Sequence, residues 1–288
     1  RLMLGLIRLE RYSKSESKAE STYSKSDFMR LGDEFNESIK ADPNQADAYL
    51  GRGTVFFLAE EYEKAAADFT KALELNPQLN QSYYNRGYVF YQQGEYVKAL
   101  SDFKKINQSD LANMPKYFFV VDPIEKPLSD TIRQADLALA VKTSPKDASA
   151  YLKRAEFFAQ KGEVANAIAE YTKAIQLNPK MLEGFSKRGV IYYEEKSYEK
   201  AIADFGKAIE LKSGNSELHL LRGKAYSDNN SLDEAIADFD KAANLDGKNF
   251  AIYTNRGDAY FFKNDFDKAI ADYGKAIELN SRNSKSFE

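Results

Sequence analysis

Six arginines in this 288-residue chain each precede an acid at one constant interval: Arg52 and Asp68, Arg86 and Asp102, Arg154 and Glu170, Arg188 and Asp204, Arg222 and Asp238, Arg256 and Asp272. A guanidinium beside a carboxylate makes a charge-assisted ion pair. Two uses suit such a series: a ladder of structural pairs, or a cationic track that holds an acidic ligand. The remaining residues offer less chemistry. His219 is the one histidine, so no histidine-built metal cluster is expected, and a cysteine-free chain has neither disulfides nor thiolate sites. Asp and Glu could serve as general acids or hold a hard cation, but here they recur on helix faces, where solvation accounts for them. No nucleophile motif, phosphate loop or zinc spacing occurs. No catalytic, cofactor-binding or metal-binding residue is therefore expected, and the chain reads as a non-enzyme.

The elements that position the arginines follow from the residue after each of them. Gly53, Gly87, Gly189, Gly223 and Gly257 recur in register with one fixed step, and Ala155 once takes their place. Such a period marks a repeat protein. Residues 46–79 show one unit: Tyr49, Gly53 and Phe56, then Ala65, Phe69 and Ala72, fall at helical spacing on either side of Glu60-Glu61. Asn76-Pro77 closes the second stretch. Each unit is thus two short antiparallel helices, which sets arginine and acid opposite each other. Glycine costs a helix about 1 kcal/mol relative to alanine, so close helix approach is the expected reason for it, with the small residue facing the recurring alanine of the second helix.

The pattern repeats at 80–113, 148–181, 182–215, 216–249 and 250–283. It resembles the tetratricopeptide repeat (TPR) family, in a bacterial-type form with Arg-Gly in the first helix where the family has leucine. The family's large aromatic is matched by Tyr49, Tyr83, Tyr151, Phe185, His219 and Tyr253, and its second-helix alanine by Ala65, Ala99, Ala167, Ala201, Ala235 and Ala269. The resemblance implies an all-α, right-handed α-solenoid of stacked antiparallel helix pairs, with six clear and two degenerate repeats. The expected organisation is an N-terminal helix, serine-rich loop and degenerate repeat at 1–45, units at 46–113, a proline-interrupted unit at 114–147, four units at 148–283 and a tail at 284–288. The helix is expected at Leu2 to Arg11 and the loop at Ser13 to Ser26. Pro115, Pro123 and Pro127 argue for an irregular segment, read as a hinge, with filling the groove or meeting a second partner as the alternatives.

The resemblance also implies that first helices line a concave groove, with positions 2, 5, 9, 12 and 13 of each unit facing it. Those positions share one helix face and vary between units. Candidate groove residues are Leu50, Phe57, Leu58, Tyr84, Tyr88 and Tyr91 in the proximal units, and Glu183, Tyr193, Glu194, Glu217, Asp228, Asp258, Phe261 and Phe262 in the distal ones. Aromatic anchors among acids suit a protein or peptide segment with apolar and basic residues; the rival reading is that the aromatics pack between units and the acids are a solvated face. Asn85 and Asn255 could form part of a carboxylate clamp for a chaperone tail, but Tyr84 and Thr254 stand where lysines are needed, which argues against that ligand.

Composition narrows the function further. A net charge of −3 argues against nucleic acid, and no apolar run approaches the ~18 residues of a membrane span. The run from Leu2 to Ile7 is too short for a signal-peptide core. The compartment stays open, with the cytoplasm favoured over export, and a chain starting at Arg1 reads as a fragment or processed form. The expected function is a cofactor-free interaction scaffold. The alternative is a self-assembling scaffold, a homo-oligomer stacked through uncapped solenoid ends.

Overall fold

The computed structural model describes residues 25–106 and 128–285. The fourteen elements among them are all α-helices, in two compact units, residues 1–143 and 144–288. The first unit holds α1 (Lys25–Ala41), α2 (Ala46–Leu58), α3 (Tyr62–Leu75), α4 (Asn80–Gln92), α5 (Tyr96–Phe103) and α6 (Leu128–Thr143). The second holds α7 (Ala148–Gln160), α8 (Val164–Leu177), α9 (Leu182–Glu194), α10 (Tyr198–Leu211), α11 (Ser216–Asp228), α12 (Leu232–Leu245), α13 (Phe250–Phe262) and α14 (Phe266–Lys285). The expected helix at 2–11, the segment 114–127 and the last three residues lie outside the described residues. Helix α1 begins at Lys25, inside the end of the stretch expected as a loop. Helix α5 has 8 residues where α3 has 14, shorter than the expected unit. There Ile106 and Asn107 replace the Ala72-Leu73 pair that carries the apolar stripe onward in α3.

Local chemistry sets the ends of the helices. Asp147, Asn215 and Asn249 accept hydrogen bonds from the first-turn amides of Ser149, Glu217 and Ala251 at 2.9–3.0 Å, the usual N-cap. The turn inside each pair passes through the left-handed region at a fixed place: Glu60, Gly94, Gly162, Lys196, Asn230 and Asn264 have φ between 57° and 73°. Between pairs, Asn76, Asn178 and Asp246 bend the chain by accepting from the second amide beyond their own. Asp246 does so before glycine, so a following proline is not required to end these helices.

The repeating glycine sits against an aromatic ring, not against the expected alanine. A Cβ on Gly53, Gly87, Gly189, Gly223 or Gly257 would lie 2.6–2.9 Å from the ring of Phe69, Phe103, Phe205, Phe239 or Tyr273 on the second helix of the same pair. Helix phase explains the difference: the ring needs the space that a missing side chain leaves, and the alanine packs beside it. These phenylalanines are fully or almost fully buried and anchor the cores.

All six arginine pairs form. Each guanidinium grips its acid with two hydrogen bonds of 2.6–2.9 Å. The five aspartates are buried and the arginines half-buried, so these are not the exposed pairs that contribute ~0–1 kcal/mol. The arginines also reach back along the chain by the same interval. Nη1 of Arg52, Arg86, Arg188 and Arg256 donates to Asn36, Thr70, Thr172 and Asp240 on the preceding second helix at 2.6–3.0 Å. One arginine thus ties three helices together.

Arg222 lacks that third tie because Gly206 stands at the acceptor position, with room for a Cβ 3.5 Å from Nη1. Thr70 and Thr172 show the solution: the hydroxyl donates to a carbonyl one turn back, that of Ala66 or Ile168, and accepts from arginine. Gly206→Thr is therefore expected to stabilise the second unit by about 1 kcal/mol, from helix propensity and one charged hydrogen bond. Urea unfolding checks this, and an unchanged or lower midpoint contradicts it.

Candidate partner-binding groove

First helices of consecutive pairs lie side by side in the second unit, and between α7, α9 and α11 they enclose a groove of about 610 Å³. Helix α7 contributes Glu156, Ala159 and Gln160; α9 contributes Leu182, Ser186, Lys187, Val190, Ile191 and Glu194. Helix α11 adds Glu217, Leu218 and Leu221, with its cap Asn215, and Tyr171 of α8 completes the wall. The floor is aliphatic and the rim charged. Burial pushes the Tyr171 phenol up to about 12, so at neutral pH it is an uncharged hydroxyl. Lys187 pairs with Glu156 at 3.0 Å across the gap between α9 and α7. Glu194 and Glu217 are exposed and have no ion-pair partner among the described residues. Their charges are unneutralised, and the groove is acidic.

The groove brings together two of the sequence candidates, Glu194 and Glu217. Glu183 is exposed in the first turn of α9, outside the lining. Tyr193 donates a hydrogen bond to Asp228, and Lys224 lies 5.4 Å from the centre of its ring. Burial, and then this bond, raise the Tyr193 phenol above its ordinary range. Tyr193 and Asp228 therefore brace α9 against α11. Asp258 likewise accepts from Tyr273 at 2.8 Å within its own helix pair. Phe261 and Phe262 are exposed, their rings 6.0 Å apart.

The first unit treats its candidates differently. Leu50 and Tyr84 are 0% exposed and Tyr88 is 6%, in one cluster with Leu128 of α6. These three are core, because the rings bury one another: Tyr84 stacks on Tyr88 at 6.3 Å, and Phe57 and Tyr91 meet Tyr88 at 6.1 and 5.9 Å. Phe57 and Tyr91 are half-buried around it, and Leu58 is half-buried against a separate cluster with Phe35 and Val55. His219 is buried in the aromatic slot, its Nδ1 3.0 Å from Asp238 and its Nε2 3.3 Å from the Ser213 carbonyl. Tyr151 and Tyr253 bond the equivalent carbonyls, those of Pro145 and Gly247, through their hydroxyls.

Glu156, Ala159, Gln160, Ser186 and Val190 occupy positions 5, 9, 12 and 13 and so obey the positional rule, although all but Glu156 are neither aromatic nor acidic. Lys187 and Leu221 sit at position 6, which only the stacked helices show to be part of the wall.

No curated protein matches the chain. Among solved structures, the crystal structure of MamA is similar at 19% identity and a TM-score of 0.49, over 69% of this chain and 96% of that one. YrrB, described as a TPR protein with an unusual peptide-binding site, is similar at 18% identity and a TM-score of 0.35, over 77% of this chain and 96% of that one. The C-terminal part of a TPR repeat-containing protein from Cytophaga hutchinsonii is 16% identical over 100% of this chain and 98% of its own, with a TM-score of 0.46. A tetratricopeptide repeat model matches residues 250–283, and a TPR repeat model matches 53–94, 157–196, 189–230 and 223–263. The second alone spans more than half of the chain. With its helix pairs and their constant register, the chain belongs to the tetratricopeptide repeat family.

Proposed function

We propose that this protein is an interaction scaffold whose second unit binds a segment of a partner protein, without chemistry of its own, in the groove between α7, α9 and α11. The carrying observation is the pairing of an aliphatic floor with two unneutralised acids, Glu194 and Glu217. Val190, Leu182, Leu218 and Leu221 would bury one or two apolar side chains of the segment, and a lysine or arginine next to them would meet the acids at the rim. The groove's volume is in the range that holds small ligands and peptide side chains. Exposed acids supply selectivity and encounter rate more than raw affinity.

The test is selection from a random peptide display library with the whole chain. Enrichment of leucine, isoleucine or phenylalanine beside lysine or arginine is expected. Glu194→Gln with Glu217→Gln is expected to weaken the selected peptides about tenfold, equivalent to about 1.4 kcal/mol, and to flatten the salt dependence of binding. Val190→Arg, which fills and recharges the floor, should abolish it. Enrichment of acidic peptides, or the same peptides bound equally by the Val190→Arg variant, would remove the groove from consideration.

A further inference from the structure

The charged residues of the groove lining are three carboxylates, Glu156, Glu194 and Glu217, and one ammonium, Lys187. Lys187 reaches from α9 to Glu156 on α7 at 3.0 Å. The contact is part of the floor, where position 6 of one first helix meets position 9 of the preceding one. At the same places in the first unit Asn85 donates to Thr54 at 3.4 Å. One step further along the groove both places are aliphatic, Leu221 and Val190. Lys187 and Glu156 therefore stand at one end of the apolar floor. Their side chains are 47% and 32% exposed, and ion pairs so open to water contribute little to stability. The Glu156 charge is nevertheless felt inside the groove: after burial, it is the second cause that raises the Tyr171 phenol. An acid this accessible, beside an apolar floor, suits a basic residue of a partner. Lys187 fills that place from within the chain.

We propose, resting on the groove reading above, that Lys187 is a selectivity residue that sets how many basic residues a partner segment can present. By occupying Glu156 it leaves one acidic place, the rim formed by Glu194 and Glu217, and it turns away segments that carry a second lysine or arginine beside the first. Two physical effects act together. A tethered ammonium is present at high effective concentration, so a partner's cation has to displace it. Once displaced, Lys187 stays anchored on α9 near the incoming cation, and like charges brought together oppose binding. Such a residue works by penalising the wrong segment and adds nothing to the affinity for the right one. A mere brace between α7 and α9 would hold the two helices without changing which segment binds.

The test repeats the selection from a random peptide display library with the whole chain and with its Lys187→Met variant, which keeps much of the side chain's length and removes its charge. The unaltered chain is expected to enrich peptides with one basic residue beside apolar ones, and Lys187→Met peptides with two. Two synthetic peptides that differ by one lysine-to-glutamine change then give the number, by fluorescence anisotropy. The ratio of their affinities should move toward the dibasic peptide by about fivefold in Lys187→Met, the scale of one exposed ion pair. Adding Glu156→Gln to Lys187→Met should cancel the shift, because the third acid is then gone, and Lys187→Arg should keep the original ratio. An unchanged ratio in Lys187→Met, or a shift that persists without Glu156, would overturn the proposal. If the unaltered chain enriches no apolar and basic peptides, or Val190→Arg binds the same ones, the groove reading fails and this proposal with it. A failure confined to the Lys187 variants leaves the groove reading standing.

Discussion

Replacing Arg188 by methionine is expected to destabilise the second unit by about 3–5 kcal/mol, the cost of leaving a buried charge without its partner. Arg188 holds Asp204 with two bonds of 2.8 Å and reaches Thr172 with a third of 2.7 Å. Asp204 is buried at 5% exposure, so water does not replace the guanidinium. The bond to Asp204 outweighs burial and raises the arginine's already high pKa, so the cation persists at any pH at which the protein is folded. Methionine keeps the length and the packing but leaves an aspartate between two apolar helices. Adding Asp204→Leu is expected to recover most of the loss, because removing both partners of a buried pair is far less costly than removing one. Urea unfolding monitored by circular dichroism measures both. A loss below about 1 kcal/mol for Arg188→Met would return these pairs to the class of exposed bridges. Loss of peptide capture at unchanged stability would favour the other reading of the series, a track for an acidic ligand.

How far the sequence reveals such features depends on whether the interacting residues share one helix pair. The arginine ladder is legible because a single constant interval joins the two helices of one unit. The backward tie from Arg188 to Thr172 uses the same interval in the other direction, but it is visible only once neighbouring pairs stack. The partner of the repeating glycine is not legible for a related reason. Periodicity says that Gly189 faces the second helix, yet only the phase between helices decides that Phe205, and not Ala201, covers it. The groove is legible in outline and wrong in detail. The positional rule finds Glu194 and Glu217, and it also names Tyr84 and Leu50, which the first unit buries. A sequence position specifies a helix face; whether that face stays open depends on which other elements cover it, such as α6 with Leu128. The role of Lys187 is not legible in the sequence because its partner, Glu156, lies on a different first helix.

The glycine and the acid beside its ring are also predicted to be coupled, and the chain contains its own control. Gly189→Ala is expected to cost about 1–3 kcal/mol through overpacking, despite about 1 kcal/mol gained in helix propensity. The added methyl would lie 2.9 Å from the Phe205 ring and 3.3 Å from the Asp204 Cβ, so both the ring and the acid must shift away from α9. In the pair α7–α8, Ala155 stands in place of glycine, and the acid there is Glu170, the one glutamate in a series of aspartates. Its bonds to Arg154, at 2.6 and 2.9 Å, are as short as those of the aspartates. We expect the extra methylene to compensate for a gap widened by the methyl of Ala155. Gly189→Ala combined with Asp204→Glu should therefore lose less than the sum of the two single variants, by about 1 kcal/mol, within the range measured for residues in contact. Asp204→Glu alone should destabilise, since its longer side chain enters a gap that glycine keeps narrow. A double-mutant cycle by urea unfolding gives the coupling directly. Additivity within about 0.3 kcal/mol would mean that the alanine and the glutamate of α7–α8 occur together without a mechanical link, and that the ring alone sets the distance between paired helices.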